Sequence, residues 1–177
     1  PHQRQLAVGR PVEQLRHLGV AERVDQALFE AALAPSDLEL EITETSILDA
    51  DPRIVAAIGQ ITALGVGLAL DDFGTGYSSL SALQRFPIER LKIDRSFVNG
   101  LGSSASDEAL ASAIVALAKR LGLSVVAEGV ETEEQVGLLR ELGCDELQGY
   151  FFSRPLPPEE FGRLLASEPV GSRTPNT

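Results

Sequence analysis

The sequence predicts an α/β fold built around a parallel sheet, on three observations. Short apolar stretches of strand length alternate with amphipathic helical stretches along most of the 177 residues. Leucine–glycine pairs end several of the helical stretches, as is typical of helices that finish in a left-handed residue. Polar side chains follow the apolar stretches at intervals of 20 to 36 residues, each compatible with one β/α unit. Such alternation implies right-handed crossovers between parallel strands.

Five strands are predicted, with helical stretches around them. The strands are Leu38–Thr43, Val66–Leu70, Arg90–Ile93, Leu123–Ala127 and Glu146–Phe151. Each helical stretch places apolar residues on one face, namely Val20, Val24, Leu28 and Ala31; Ile54, Ile58 and Ile61; Leu110, Ile114, Leu117 and Leu121; and Val136, Leu139 and Leu142. Leucine–glycine pairs at 64–65, 121–122 and 142–143 are the predicted helix ends.

Two architectures fit this alternation, an open doubly wound sheet and a (β/α)8 barrel. The glycine-rich stretch 74–79 approximates a dinucleotide-binding motif, but it follows Asp71 and Asp72, a poor surface for pyrophosphate. We therefore favour the barrel. A barrel usually takes about 250 residues, so this chain is short by roughly two units. Residues 1–19 show no clear period, and residues 167–177 resemble a disordered tail.

Net charge, cysteine content and the length of apolar runs limit the partners and cellular compartments that we expect for this chain. A net charge of −11 disfavours nonspecific binding to DNA, RNA or anionic lipid. The single cysteine, Cys144, excludes an internal disulfide and favours a reducing compartment. No apolar run approaches the ~18 residues of a membrane span. We expect a cytoplasmic domain without direct membrane contact. Because the chain lacks methionine and begins with proline, we also expect a piece of a longer product, which could itself be membrane-tethered.

Polar residues end every predicted strand: Glu41, the pair Asp71 and Asp72, Lys92, Glu128 and Gln148. In β/α folds the carboxyl ends of the strands are where catalytic groups collect. Carboxylate and amide oxygens suit Mg²⁺, Mn²⁺ or Ca²⁺, and four carboxylates suit a pair of ions. Paired ions can activate a water and stabilise the leaving oxygen at phosphorus, and a lysine can orient that water. A solvated turn is the alternative for the paired aspartates.

Four stretches closely resemble the EAL domain, the bacterial cyclic-di-GMP phosphodiesterase: "ELEITE", "LALDDFGTGYSSLSALQRFPIERLKIDRSFV", "VVAEGVETEEQ" and "GCDELQGYFFSRPL". The resemblance covers about residues 20–166. It implies a (β/α)8 TIM-type barrel with one strand reversed, incomplete here, with about five to six β/α units and the first strands missing. Residues 1–19 would then be an irregular remnant of the early barrel. The implied reaction is hydrolysis of one phosphodiester of cyclic-di-GMP to linear pGpG, with two Mg²⁺ or Mn²⁺ ions.

The resemblance also implies roles for the strand-end residues. Glu41, Asp71 and Glu128 match metal ligands, with Asp72 on the second ion. Lys92 matches the lysine that contacts the nucleophilic water, and Gln148 matches a glutamine of the water and metal network. Glu131 matches a further acid of the family. However, Thr132 can cap a helix whose first turn is Glu133–Gln135, and capping alone would explain that cluster.

A loop and two peripheral residues complete the implied site. Glu44 matches a glutamate that holds the loop after Asp72, which links metal binding to dimerisation in the family. That loop comprises Phe73, Gly74, Thr75, Gly76, Tyr77, Ser78 and Ser79. A homodimer is therefore expected. Asp94 and Arg154 are assigned to substrate binding, although Asp94 could equally pair locally with Arg95.

Two departures from the family pattern keep a second function open. The Glu-Ala-Leu motif is absent, and Gly9 stands where a ligand asparagine belongs. We therefore expect this chain alone to be inactive and its parent domain to be the enzyme, with covalently linked sensory or GGDEF-type domains. The alternative is a catalytically inactive EAL-like domain that acts as a cyclic-di-GMP receptor or protein-interaction module. A barrel enzyme using Mg²⁺ at an enolate or carbonyl leaves the long motif match unexplained.

Overall fold

The computed structural model describes residues 19–44, 51–75 and 85–167, together with Leu15, His17 and Leu83, and side chains through residue 163. Its centre is one sheet of five parallel strands in chain order. The strands are β1 (Glu39–Thr43), β2 (Gly67–Phe73), β3 (Arg90–Ile93), β4 (Ser124–Ala127) and β5 (Glu146–Leu147). This confirms the predicted α/β class. Over the described ranges the sheet is open, with β1 and β5 at its edges, as expected of an incomplete barrel.

The described ranges contain six α-helices that connect or flank the strands: α1 (Val20–Ala31), α2 (Pro52–Ala63), α3 (Arg95–Asn99), α4 (Ala105–Leu121), α5 (Glu133–Leu142) and α6 (Pro158–Ser167). Side chains of Asp51, Asp94, Ser104 and Thr132 accept hydrogen bonds from the first turns of α2, α3, α4 and α5. The predicted glycine stops are confirmed, because Gly65, Gly122 and Gly143 have φ angles of 97°, 75° and 90°. No helix in the described part of the chain is both long enough and apolar enough to cross a bilayer.

The two faces of the sheet differ in polarity. One face is apolar and forms a core with α2, α4 and α5; its strand members are Ile42, Leu68, Leu70, Leu91, Ile93, Val125 and Ala127. Side chains alternate along a strand, so the intervening residues point to the other face. On β3 these are Arg90 and Lys92, and on β1 they are Glu39 and Glu41. The candidate site therefore lies on the face turned away from the helical core.

Two predicted strand ends differ from the structure. The last strand ends at Leu147 rather than Phe151, because the chain turns there to follow the loop after β4, with Phe151 N–H donating to Val130 O at 3.0 Å. The second strand instead continues to Phe73 and includes both aspartates.

The predicted face of α4 is also displaced. Leu110 and Leu121 are 45% and 46% exposed, and the buried row is Ala111, Ile114, Val115 and Ala118. The helix contacts β3 and β4. Ala31 of α1 is exposed as well.

Candidate active site

Lys92 lies at the centre of a cluster of charges. Its Nζ is 2.6 Å from Glu41 Oε1, 2.6 Å from Glu128 Oε1 and 3.4 Å from Asp71 Oδ1. The lysine side chain is only 7% exposed, whereas the three carboxylates are 17–24% exposed. The carboxyl ends of four neighbouring strands therefore bring four of the predicted site residues into contact. We call Glu41, Asp71, Lys92 and Glu128 the Lys92 cluster.

The protonation of Lys92 follows from two opposing effects. Burial by itself would lower the pKa of the ammonium, but the hydrogen bonds it donates to Glu128 and Glu41 outweigh burial and raise the pKa above its ordinary value. Burial raises the pKa of the Glu128 carboxyl, and the hydrogen bond from Lys92 works against that rise. At neutral pH Lys92 is thus a charged donor and not a base.

Asp72 occupies an unusual backbone conformation beside this cluster. Its φ of 55° lies in the left-handed region, which aspartate tolerates better than most non-glycine residues. The Asp72 N–H donates to Asp71 Oδ1 at 3.0 Å, and the Asp72 carbonyl accepts from Thr75 Oγ1 at 2.8 Å. Burial, followed by the charge of Asp71, raises the pKa of the Asp72 carboxyl. The register of β2 against β3 shifts at this point, between Leu70 and Phe73.

Glu44 ties the end of β1 to the residue that follows β2. Its side chain is buried, and Oε2 accepts the Gly74 N–H at 3.2 Å. Oε1 is also buried and has no hydrogen-bond partner among the described residues. Gly74 has a φ of 94°, and a Cβ there would lie 3.0 Å from the Phe97 ring. Phe73 belongs to the core. Four residues of the predicted loop, Gly76, Tyr77, Ser78 and Ser79, lie outside the described residues, as does Gly9.

The remaining predicted residues lie around the Lys92 cluster with partners of their own. Gln148 is exposed, and its N–H donates to Ala127 O at 2.8 Å. Glu131 is exposed just before α5. Asp94 caps α3 through the Ser96 N–H at 3.0 Å; burial would raise the Asp94 pKa, but the hydrogen bonds from Ser96 give a net lowering.

The predicted substrate residue Arg154 lies over the ring of Tyr150. The guanidinium carbon is 5.1 Å from the ring centroid, a cation–π distance, and both side chains are exposed. These contacts lie outside the Lys92 cluster, so neither Arg154 nor Asp94 is part of it.

The structural role of Gln135 was not predicted from the sequence. The side chain is 7% exposed; its Oε1 accepts the N–H groups of Glu131 and Thr132, and its Nε2 donates to Val98 O at 3.2 Å. Gln135 thereby fixes the loop that follows Glu128 against α3. The capping-box spacing of Thr132 and Gln135 was the available signal, but the contact with Val98 is nonlocal.

The Lys92 cluster has the donor chemistry of a divalent metal site. Carboxylate oxygens from three strands already converge on a cation, and Mg²⁺ and Mn²⁺ prefer such ligands. The cation they surround is the Lys92 ammonium, and among the described residues no three Asp, Glu, His or Cys side chains, these carboxylates included, are arranged around a common metal position. The residues fit a metal in chemical type, with Lys92 as the organising charge.

A cavity of about 380 Å³ lies at the amino ends of the strands, lined by residues that include Glu39, Gly67, Arg90 and Ser124. None of the predicted catalytic or metal-binding residues lines it. Converging charges, rather than this cavity, therefore define the candidate site.

Comparison with known proteins identifies the family. The EAL domain model matches residues 1–155 of this chain. The chain belongs to the EAL domain family. The match includes residues 1–19, which precede the stretch on which the sequence resemblance was based.

Relatives of this EAL chain resemble it in both sequence and structure. It is 50% identical over 163 residues to the bifunctional diguanylate cyclase/cyclic di-GMP phosphodiesterase MucR of Pseudomonas aeruginosa, covering 92% of this chain and 23% of MucR. The solved PaMucR phosphodiesterase, a c-di-GMP complex, superposes with a TM-score of 0.81 at 44% identity, covering 89% of this chain and 63% of that one. A manganese/cy-diGMP complex of Klebsiella pneumoniae BlrP1 superposes with a TM-score of 0.80 at 34% identity, covering 86% of this chain and 39% of that one.

Proposed function

We propose that this chain is part of a cyclic-di-GMP phosphodiesterase domain, and that the whole domain hydrolyses one phosphodiester of the cyclic dinucleotide to linear pGpG. The observation that carries the proposal is the Lys92 cluster, in which carboxylates from separate strands surround one ammonium at the carboxyl ends of a family-typical sheet. Relatives named as phosphodiesterases, and a relative solved with c-di-GMP, support the same substrate.

Glu41, Asp71 and Glu128 would hold one divalent ion, with Asp72 on a second. Bound ions of this kind supply a nucleophilic water and offset the charge that develops on a phosphate. Structures of BlrP1 with manganese or with calcium support a divalent ion for this chain as well. We propose Mg²⁺ or Mn²⁺ as the working ions.

The chain's own residues have distinct roles in this proposal. Lys92, kept protonated by its carboxylate partners, donates to the attacking water and offsets charge at phosphorus. Gln148 and Glu131 extend the polar network around the water. Asp94 and Arg154 contact the dinucleotide. One water is consumed: its oxygen bonds to phosphorus, the phosphorus–ribose oxygen bond breaks, and the leaving oxygen receives a proton.

Assembly and context are part of the proposal. The Glu44–Gly74 hydrogen bond connects the end of β1 to the loop after Asp72, which supports a loop that couples the site to a homodimer interface. The chain spans 23% of the length of MucR, whose name includes a diguanylate cyclase, and this supports sensory or GGDEF-type domains in the same protein. A cytoplasmic location agrees with the single cysteine.

A second candidate is an inactive EAL-like receptor that binds the dinucleotide, or a protein partner, without turnover. The specific observation in its favour is Gly9, which offers no side-chain oxygen where the family pattern has a ligand asparagine. An intact Lys92 cluster favours the enzyme.

The test is turnover by the full product of this gene. Cyclic-di-GMP is incubated with Mg²⁺ or Mn²⁺, and pGpG is followed by liquid chromatography for wild type, Asp71→Asn and the control Asp25→Asn, an exposed α1 residue. We expect metal-dependent pGpG release that falls at least about 100-fold in Asp71→Asn and stays within about twofold in the control. Tight binding of cyclic-di-GMP without pGpG would favour the receptor. Neither binding nor turnover would overturn both candidates.

A further inference from the structure

A second group of charges lies on the polar face of the sheet, below the Lys92 cluster. Arg90 precedes Lys92 by two residues on β3, so both side chains point to the same face. Its Nε lies 3.1 Å from Glu39 Oε2 and its Nη1 lies 2.8 Å from Glu146 Oε2. Arg90 is 6% exposed. We call Glu39, Arg90 and Glu146 the Arg90 triad.

The Arg90 triad connects the two edges of the described sheet. Glu39 belongs to β1 and Glu146 to β5, while Arg90 lies on the central strand. The residues in register with Arg90 on β2 and β4 are Ala69 and Ser124, whose small side chains leave room for a guanidinium to reach across. Arginine suits this role because its planar group presents donors in more than one direction.

The edge strand β5 is short, and backbone hydrogen bonds at both of its ends also join it to β4, from Asp145 N–H to Val125 O and from Gln148 N–H to Ala127 O. It is two residues long and pairs only Glu146 and Leu147 with β4 over the described range. Glu146 itself is half exposed, so its ion pair with Arg90 is a side-chain tether between this short strand and the sheet's centre. The residue two positions after Glu146 is Gln148, and the residue two positions after Glu39 is Glu41.

We propose that Arg90 is a positioning residue for the candidate active site. By binding Glu39 and Glu146 at once, it sets the distance between β1 and β5 and so holds Glu41, two residues after Glu39, toward Lys92. The catalytic part of this inference rests on the proposed phosphodiesterase function. Its metal-binding part rests only on the placement of Glu41, which contacts Lys92 Nζ at 2.6 Å.

The test compares Arg90→Met, Arg90→Lys and the control Arg23→Met, an exposed α1 residue, in the full gene product. Four quantities are measured: the Mn²⁺ dissociation constant by electron paramagnetic resonance, kcat and KM for cyclic-di-GMP, and the folded fraction by circular dichroism. We expect Arg90→Met to raise the Mn²⁺ dissociation constant at least about fivefold and to lower kcat about tenfold, with KM within about twofold. Arg90→Lys should recover part of both losses, because an ammonium can pair with one of the two acids.

A merely structural role would lower the melting temperature without moving these constants per folded molecule. Arg90→Met that stays folded with its Mn²⁺ dissociation constant and kcat within about twofold of wild type would therefore overturn the inference. If Arg90→Met does not fold, the Mn²⁺ dissociation constant is measured for Glu146→Gln instead. This variant leaves Arg90 in place and changes a half-exposed acid. A raised Mn²⁺ dissociation constant in Glu146→Gln supports positioning, and an unchanged one overturns it.

The same measurements distinguish failure of the proposed phosphodiesterase function from failure of the positioning role of Arg90. Wild type that binds Mn²⁺ but releases no pGpG would overturn the enzyme, while the Mn²⁺ constants of the Arg90 variants would still decide the positioning role. Wild type that neither binds Mn²⁺ nor releases pGpG would overturn both.

Discussion

Lys92 Nζ lies 2.6 Å from Glu41 Oε1, although the two residues belong to strands separated by β2. Ala69, paired with Glu41 on the intervening strand, is fully buried and carries only a methyl group. A small residue at that position lets the lysine side chain reach toward β1. This contact brings an acid from the edge of the sheet into the same cluster as Asp71 and Glu128.

Removing the ammonium should destabilise the fold and make it sensitive to divalent ions. Lys92→Met leaves three partly buried carboxylates without their shared cation, which we expect to lower the free energy of unfolding by about 3 kcal/mol. Mn²⁺ or Ca²⁺ should restore part of that loss, so the rise in melting temperature on adding the ion should exceed that of wild type. Thermal unfolding with and without each ion measures this.

Lys119→Met is the matched control, because its ammonium pairs with Asp145 at a site where both side chains are about 40% exposed. Its loss should stay below about 1 kcal/mol, with no added response to divalent ions. Equal losses in the two lysine variants would mean that the Lys92 cluster is not a coupled, partly buried site.

Two glycines give a matched pair of stability tests. A Cβ at Gly149 would lie 2.1 Å from Val130 O and 2.2 Å from Val130 N, so Gly149→Ala must displace the backbone that follows Glu128. We expect a loss of more than about 2 kcal/mol in the free energy of unfolding. Gly137 lies in α5 with no atom within 4 Å of a Cβ, so Gly137→Ala should gain up to about 1 kcal/mol. Urea unfolding measures both, and a stabilised Gly149→Ala would contradict the close packing of these two loops.

Asp145 should stabilise the fold in a pH-dependent way. Burial would raise its pKa, but the hydrogen bonds from Lys119 at 2.5 Å and from the Val125 N–H at 2.7 Å give a net lowering. A lowered pKa in the folded state means that the stabilisation is present above the unfolded pKa of about 4 and is lost as pH falls below it.

Asp145→Asn should therefore be less stable than wild type by about 1 kcal/mol at pH 7, after allowance for solvent screening, and the difference should shrink toward pH 3. Urea unfolding across that range measures it, with Glu141→Gln, an exposed α5 residue, as the control. A difference that is the same at both ends of the range would show that ionisation of Asp145 is not its cause.

The single cysteine should react slowly with alkylating reagents. Burial raises the pKa of the Cys144 thiol to about 11, so little thiolate is present at pH 8. We expect iodoacetamide to modify the folded chain on the order of 100-fold more slowly than the same chain in urea, because the thiolate is the reactive species. Mass spectrometry follows the adduct. Equal rates in the two states would place Cys144 in water.

The sequence alone predicted the sheet and the meeting of four charged side chains at the carboxyl ends of its strands. Short apolar stretches, helical faces and glycine stops are each local signals that span a few residues, and the β/α spacing then places Glu41, Asp71, Lys92 and Glu128 at one end of the strands. The residue types then predicted a cation site, because clustered acids at strand ends destabilise the fold unless a cation lies between them.

Features that depend on contacts distant in sequence were not predictable in the same way. The early end of β5 follows from close packing of Gly149 against Val130. The Arg90–Glu146 pair joins residues 56 positions apart, and alternation within β3 shows only that Arg90 shares a face with Lys92. The left-handed φ of Asp72 coincides with the register shift between β2 and β3, which joins residues about 20 positions apart.

The most direct test of a divalent-ion site at the strand ends is a Mn²⁺ titration of wild type, Glu41→Gln and the exposed control Glu141→Gln, followed by electron paramagnetic resonance. If strand-end acids hold the ion, Glu41→Gln raises the Mn²⁺ dissociation constant at least about tenfold and Glu141→Gln leaves it within about twofold. Wild type without specifically bound Mn²⁺, or Glu41→Gln with unchanged affinity, would contradict a divalent-ion site at the ends of these strands.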